Sequence, residues 1–307
     1  MNNKLYIIGA GPAGLTSGIY GLWAGFKAII FENGLPGGLV NMTPQIENYP
    51  GFPEGVNGME LAERLVNQFQ RLGGEIIKEK VIRIDSMNPA GKGFKICTEK
   101  QTVETPTVIL ATGTSPRKLN IPGEKEFSGR GVSWCAVCDG PFFKGKVTAV
   151  IGGGNSALDG ALHLANLSSK VYIIHRREKL RAAAKLQEKA KANPKVHCLY
   201  NTVAEKIMGS NVVEKIKVKN KRTGESLELK VDGVFEYLGR DPNLPELNFE
   251  IKRDQWGYII TEHNMMSSVK GLFAAGDIRS KELQQVVTAT SDGAIAGLNA
   301  VAILQET

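Results

Sequence analysis

The sequence is poor in cysteine, modest in aromatics and free of long apolar runs, and each shortage removes a class of protein. Four cysteines in 307 residues cannot staple a disulfide scaffold, so a buried core must hold the chain, and the scarcity fits a reducing compartment. No segment approaches the roughly eighteen uninterrupted apolar residues that a membrane span requires. No cleavable apolar leader precedes the first strand-like run, Leu5-Tyr6-Ile7-Ile8, and the closing residues, Ile303-Leu304-Gln305-Glu306-Thr307, carry no lipidation or retention signal. A cytoplasmic protein is expected. With 42% hydrophobic, 22% charged and 7% aromatic residues, the composition excludes a disordered or fibrous chain, and the length suits two ordinary domains.

Basic residues outnumber acidic ones, 38 against 31. Such a surplus suits nucleic acid, a membrane surface or an anionic small molecule, and its position decides among them. Lys170 to Lys195 holds nine basic residues against two acidic ones, Glu178 and Glu188, which accounts for the whole imbalance of +7. One local cluster favours an anionic small molecule over a nucleic-acid or membrane partner. The lysines between Glu178 and Lys191 read as the solvated face of a basic helix. The arginines need a separate account.

That account comes from an internal repeat. Tyr6-Ile7-Ile8-Gly9-Ala10-Gly11-Pro12-Ala13-Gly14 is a strand, a glycine turn and the apolar opening of a helix, the context that makes GxGxxG a dinucleotide fingerprint. Gly9 permits the tight turn, Gly11 lets the backbone approach a pyrophosphate, and Gly14 allows close helix packing over the helix N-terminus. Twenty-three residues after Gly9, the next strand ends at Glu32, whose carboxylate accepts ribose hydroxyls and repels a 2′-phosphate. The same grammar returns 143 residues later as Gly152-Gly153-Gly154-Asn155-Ser156-Ala157, with alanine in the third small position. Here the equivalent strand ends at His175-Arg176-Arg177, with Arg181 placed one helical turn on. Charge-assisted hydrogen bonds contribute about 1.5–3 kcal/mol each, so two arginines favour a 2′-phosphate by about two to four orders of magnitude. Opposite charges at one equivalent position call for a dinucleotide without a 2′-phosphate at the first site and NADPH at the second; a flavin held permanently beside a nicotinamide that visits favours FAD over NAD at the first.

Other markers accompany the repeat. Val108-Ile109-Leu110-Ala111-Thr112-Gly113 and Val234-Phe235-Glu236-Tyr237-Leu238-Gly239 are apolar runs closing on glycine. Gly271-Leu272-Phe273-Ala274-Ala275-Gly276-Asp277 precedes a long helix from about Gln284 to Leu304; Asp277 serves either to hydrogen-bond the flavin's ribityl or phosphate-linked hydroxyls or to cap a turn. Cys135 and Cys138 form a CxxC fourteen residues before Gly152, in Trp134-Cys135-Ala136-Val137-Cys138-Asp139-Gly140. In a helical turn, residues three apart share a face, close enough for a disulfide, and the motif lowers a thiol pKa. Asp139 is placed to exchange a proton with the leaving thiolate. A structural zinc needs about four ligands, and Cys97 and Cys198 stand alone in strand-like segments, where they read as small core residues. His163, His197 and His263 form no ligand spacing. Trp134 reads either as a docking residue for a protein partner or as a packed indole.

Together these motifs resemble the low-molecular-weight, bacterial or archaeal type thioredoxin reductases of the pyridine nucleotide-disulfide oxidoreductases, over essentially the whole chain. The matching segments are Gly9 to Gly14, an ENYPG run at Glu47-Asn48-Tyr49-Pro50-Gly51, the CAxCDG centre at Cys135 to Gly140, Gly152 to Ala157, HRRxxxR at His175 to Arg181, and Gly276-Asp277. The resemblance implies two Rossmann-like, three-layer ββα dinucleotide-binding domains, the NADPH domain inserted in the FAD domain. It divides the chain into residues 1–117 and 244–307 for FAD and 118–243 for NADPH and the CxxC. It adds Asn48, Thr112, Gly113, Gln285 and Val286 to the flavin site. It further implies a homodimer, thioredoxin or a thioredoxin-like disulfide protein as partner, Cys138 facing the flavin and Cys135 attacking the partner's disulfide. The smaller domain would rotate about connections near Thr114 to Leu119 and Arg240 to Leu244. Two positions depart from the pattern: Leu39 stands where glutamine is usual near the flavin, and Gln284-Gln285 replaces an arginine-glutamine pair. The larger animal-type reductases carry a C-terminal cysteine or selenocysteine tail that this sequence lacks. Ferredoxin or a reduced deazaflavin as donor, and a redox sensor without turnover, are the alternative readings.

Overall fold

A strand covered on both faces has to be apolar at nearly every position, and β1 (Lys4–Ile8) meets that demand from Leu5 onward. The computed structural model describes residues 3–43, 46, 48–87 and 93–306, and of Cys138 only the backbone. After β1 come α1 (Pro12–Trp23), β2 (Lys27–Phe31), α2 (Gly58–Arg71) and β3 (Glu75–Ile77). An antiparallel run follows, β4 (Val81–Ser86), β5 (Phe94–Thr98) and β6 (Thr102–Thr105), before β7 (Val108–Leu110) returns to the first sheet. The chain then passes through β8 (Thr114–Pro116) into a second unit, Pro116–Arg240.

That unit is built from β9 (Val132–Ser133), α3 (Ala136–Asp139), β10 (Val147–Gly152), α4 (Asn155–Leu167), β11 (Lys170–Ile174), α5 (Ala184–Ala192) and β12 (Val196–Leu199). A meander of β13 (Thr202–Gly209), β14 (Val213–Asn220) and β15 (Ser226–Lys230) precedes β16 (Gly233–Tyr237). The chain leaves through β17 (Arg240–Pro242), which pairs with β8. Back in the first unit it adds β18 (Glu246–Leu247), β19 (Leu272–Ala274) and α6 (Val286–Gln305).

The two parallel sheets have matching orders, β19-β7-β1-β2-β3 and β9-β16-β10-β11-β12. In each, the order reverses at the strand that carries the glycine turn, which is where open α/β sheets bind ligands. Alternation of side chains gives each sheet two cores. Leu5, Ile7 and Ile30 face the helix side with Leu15 and Phe69, while Tyr6, Ile8 and Phe31 face the antiparallel layer with Ile84 and Phe94. In the second unit Val150 and Ile173 pack on Leu158 and Leu164 of α4, and Ala149 and Ile151 pack on Ile207 and Ile216 of the meander. Both units are therefore Rossmann-like, with helices, parallel sheet and antiparallel layer stacked in that order.

The basic segment differs from the helix expected from Glu178 to Lys191. Helix α5 begins only at Ala184, and Arg181 is not on a helix. The cause is long-range: Arg181 and Ala182 donate their N–H groups to the Gly153 carbonyl at 2.7 and 3.1 Å, and Ala183 N–H goes to Asn155 Oδ1 at 2.8 Å. Those donors are taken by the glycine turn.

Helix α6 is long and apolar enough to cross a membrane by length and composition, but in this fold it lies on α1 and buries Asp292 in ion pairs with Arg279 and Lys281 at 3.0 Å each. Glycine makes the crossing close: a Cβ at Gly293 would stand 2.2 Å from the Ala13 carbonyl oxygen, and one at Gly297 2.6 Å from that of Ser17. Backbone atoms cannot swing aside. Gly293→Ala is expected to destabilise the protein by about 1–3 kcal/mol through overpacking, measured as a lower urea midpoint at an unchanged slope.

Candidate functional sites: two glycine turns and the Cys135 segment

The first turn lies where β1 meets α1. Gly9 has φ +100°, and a Cβ there would sit 2.5 Å from the Ala111 carbonyl oxygen; a Cβ at Gly14 would sit 1.9 Å from that of Gly9. Gly11 is the N-cap of α1 and offers no side-chain cap, while a Cβ added to it would meet nothing within 4 Å. Pro12, at the first helical position, has no N–H to satisfy, so Ala13 and Gly14 supply the unclaimed donors of the helix start. This is a backbone cradle with room for a pyrophosphate. Glu32 closes the end of β2, accepting Ala10 N–H at Oε2 and Gly34 N–H at Oε1, both at 2.7 Å. Each oxygen keeps a second acceptor site for a ribose hydroxyl.

Gly276, with φ +80°, brings its turn against the same place: a Cβ there would lie 2.8 Å from Ala13 Cβ. Asp277 follows in a short 3-10 turn, with Oδ1 3.4 Å from Lys281 Nζ, and Gly276 N–H donates to Asp292 Oδ2 at 3.1 Å. Asn48 Nδ2 donates to Gln285 Oε1 at 2.9 Å; Gln285 caps α6 through a capping box with Thr288, and Val286 is its first residue. Thr112 Oγ1 donates to the Asn243 carbonyl, and Asn243 returns its own N–H to the Gly113 carbonyl at 2.9 Å. Glu47 lies outside the described residues.

The second turn repeats the device in the second unit. A Cβ at Gly152 would stand 2.6 Å from the Tyr237 carbonyl oxygen; Gly154 caps α4 without a side-chain bond, and its own Cβ position is open. Ala157 fits the third small position with a methyl, its N–H bonded to the Gly154 carbonyl at 3.1 Å, beside Asn155 and Ser156 of the first turn. His175 is buried, with Nδ1 3.1 Å from the Gly152 carbonyl and Nε2 2.9 Å from that of Lys179. Burial, aided by Arg181 and Arg177, holds this imidazole below its ordinary value despite those carbonyls. Its ring faces the main chain, where it shapes the loop. Arg176, Arg177 and Arg181 are instead exposed, and among the described residues their side chains make no hydrogen bond or ion pair. Three uncommitted guanidinium groups beside an uncapped helix start form an anion site suited to a phosphate.

In the same unit, Cys135 is disulfide-bonded and immediately precedes α3, which contains Cys138. The side chain of Cys138 lies outside the described residues. Ser133 Oγ accepts Cys135 N–H at 3.0 Å, Tyr237 Oη accepts Ala136 N–H at 2.9 Å, and Trp134 Nε1–H donates to Glu236 Oε2 at 3.0 Å. Asp139 ends α3, half-buried, its N–H on the Cys135 carbonyl at 3.1 Å. Cys97 and Cys198 are free thiols, and burial pushes the Cys198 thiol up. Ser133, Glu236, Tyr237 and Asn243 hold these segments in place, and no motif in the sequence marks them. Only Glu236 left a signal, an acid inside an otherwise apolar strand.

The family model described as pyridine nucleotide-disulphide oxidoreductase matches residues 3–293. A thioredoxin reductase of Peptoclostridium acidaminophilum is 43% identical over 302 residues, spanning 96% of this chain and 95% of that protein. One of Bacillus subtilis (strain 168) is 43% identical over 313 residues, spanning 99% and 97%. Among solved structures, a thioredoxin reductase of Lactococcus lactis is similar with a TM-score of 0.84 at 40% identity, covering 99% of both chains.

The hydrogen bonds around α3 give a direct test. Tyr237→Phe removes the acceptor of Ala136 N–H and is expected to cost about 1–3 kcal/mol if that donor stays buried and unsatisfied, read as a lower thermal midpoint. An unchanged midpoint would show that the bond contributes nothing.

Proposed function

The chain belongs to the pyridine nucleotide-disulphide oxidoreductase family, among the low-molecular-weight thioredoxin reductases, and from that premise we propose that it reduces the disulfide of thioredoxin or a thioredoxin-like protein at the expense of NADPH. The observation that carries the assignment of the two nucleotides is the inverted charge at equivalent strand ends: Glu32 beside one glycine turn, three uncommitted arginines beside the other. FAD, when bound, supplies a two-electron relay between a hydride donor and a disulfide.

The first unit holds that group through Gly9, Gly11, Pro12, Ala13 and Gly14 at the pyrophosphate and Glu32 at the ribose, with Asn48, Thr112, Gly113, Gly276, Asp277, Gln285 and Val286 around the remainder. The second unit binds NADPH through Gly152, Gly154, Asn155, Ser156 and Ala157, and Arg176, Arg177 and Arg181 take the 2′-phosphate. His175 and Asn155 serve this by fixing the loop that carries Arg181. Reduction of the Cys135–Cys138 disulfide by two electrons and two protons yields the dithiol. Cys135 thiolate then attacks one sulfur of the partner's disulfide, expelling the other as a thiolate and forming a mixed disulfide. Cys138 attacks Cys135, releases the second partner sulfur and restores the enzyme disulfide. Asp139 exchanges protons with the departing thiolates. Family membership also supports a homodimer working in the cytoplasm.

Reduction of thioredoxin with NADPH and NADH in parallel tests this reading; turnover with a different donor and none with NADPH would reject it. Replacing Arg176 and Arg177 together by Ala should raise KM for NADPH about a hundredfold or more while changing that for NADH little; equal losses would mean the arginines do not read the phosphate. Cys135→Ser should abolish thioredoxin reduction yet leave NADPH able to bleach the bound flavin, and loss of bleaching would contradict the assigned order of electron flow.

A further inference from the structure

Glu236 lies inside β16 with 2% of its surface exposed. Its Oε2 accepts the Trp134 indole N–H at 3.0 Å, whereas Oε1 is buried and meets no hydrogen-bond donor among the described residues. The side chain within hydrogen-bonding reach is another acid, Glu124, itself 4% exposed. Glu124 already accepts backbone N–H groups from Leu119, at 3.1 Å, and from Asn120. Two ionised carboxylates repel strongly in so dry a place, while one proton between them turns the contact into a hydrogen bond.

Little else nearby offsets a second negative charge. Lys118 is the cation whose field reaches Glu236, and the residue paired with it on β10 is Ile151. Tyr237, the neighbour on β16, has its phenol pushed up by burial and is neutral at ordinary pH. Consecutive residues of β16 thus grip the redox segment on both sides of Cys135, Glu236 through Trp134 and Tyr237 through Ala136.

We propose that Glu236 is a positioning residue for this segment: sharing one proton with Glu124, its carboxyl clamps the Trp134 indole and fixes how Cys135 is offered to a protein disulfide, and on loss of the proton the repulsion between the two carboxylates drives Glu236 off the indole and opens the clamp. The inference rests on Cys135 being the attacking thiol. Burial and then Glu124 push the Glu236 carboxyl up to about 8, which sets the range in which the clamp opens. The sign follows from linkage: the folded state binds a proton that the unfolded chain gives up near 4.5, so stability falls as pH rises from there to about 8.

The experiment follows Trp134 emission, taken as the difference between the wild-type protein and Trp134→Phe, on both sides of about pH 8, together with KM for thioredoxin at saturating NADPH. In the wild type, emission should titrate and KM should rise several-fold over the same range. Glu236→Gln, whose amide accepts from Trp134 and donates to Glu124, should show a flat emission profile, hold its low KM above the transition, and lose less thermal stability between pH 4.5 and about 8. Glu236→Leu, which keeps the bulk without the bond, should have the raised KM at every pH while NADPH still bleaches the flavin at the wild-type rate. Identical titrations in the wild type and Glu236→Gln, a wild-type emission that does not titrate, or a normal KM in Glu236→Leu would each overturn the proposal. A wild-type protein that leaves thioredoxin oxidised would instead reject the functional reading, and the emission titration would still decide whether Glu236 gates the segment.

Discussion

A helix that begins without a side-chain cap leaves backbone N–H groups in need of an acceptor, and both α1 and α4 begin this way. Much of the architecture answers that one constraint. The caps are glycines, Gly11 and Gly154, whose missing side chains leave open space where the donors lie. Each helix must also pass close beneath the strand that precedes it, which forces Gly14 against Gly9 in one unit and sets Ala157 against Gly152 in the other, while Gly9 is required by its φ of +100° and by the Ala111 carbonyl oxygen 2.5 Å from any added Cβ. The tighter first crossing leaves no room for even a methyl at Gly14.

With the pyrophosphate cradle nearly the same twice, selectivity falls to the end of the neighbouring strand. Glu32 is held rigidly by two backbone N–H groups, so its negative charge is fixed in place before any ligand arrives. The arginines of the second unit are exposed and make no side-chain hydrogen bond or ion pair among the described residues, whereas the loop beneath them is anchored. It is tied to the glycine turn through Gly153, Asn155 and the buried ring of His175.

What the sequence shows of this arrangement, and what it hides, follows from the range of the interactions. The central strands of both sheets are legible in the sequence because burial on two faces demands unbroken apolar runs such as Ala28-Ile29-Ile30-Phe31, and the duplicated glycine spacing carries the three-layer fold with it. The start of α5 is not legible, since its first turn is pre-empted by the Gly153 carbonyl and by the Asn155 side-chain amide, the latter 28 residues before its donor Ala183. The same holds for Asn243, which meets Thr112 across the inserted unit, and for Tyr237, whose hydroxyl serves a residue from another element. Glu236 advertised itself only as a misfit in an apolar strand, and its meaning depends on Glu124 and Trp134 being folded against it.

Opposite charge at the two strand ends is what separates the two nucleotides. Calorimetric titration of the FAD-loaded protein with 2′,5′-ADP and with 5′-AMP measures this most directly. The account predicts that 2′,5′-ADP binds about a hundredfold or more tightly than 5′-AMP, with an advantage that shrinks as salt screens the arginines, and that the flavin stays bound throughout. Equal affinities for the two nucleotides, or release of flavin by 2′,5′-ADP, would contradict it.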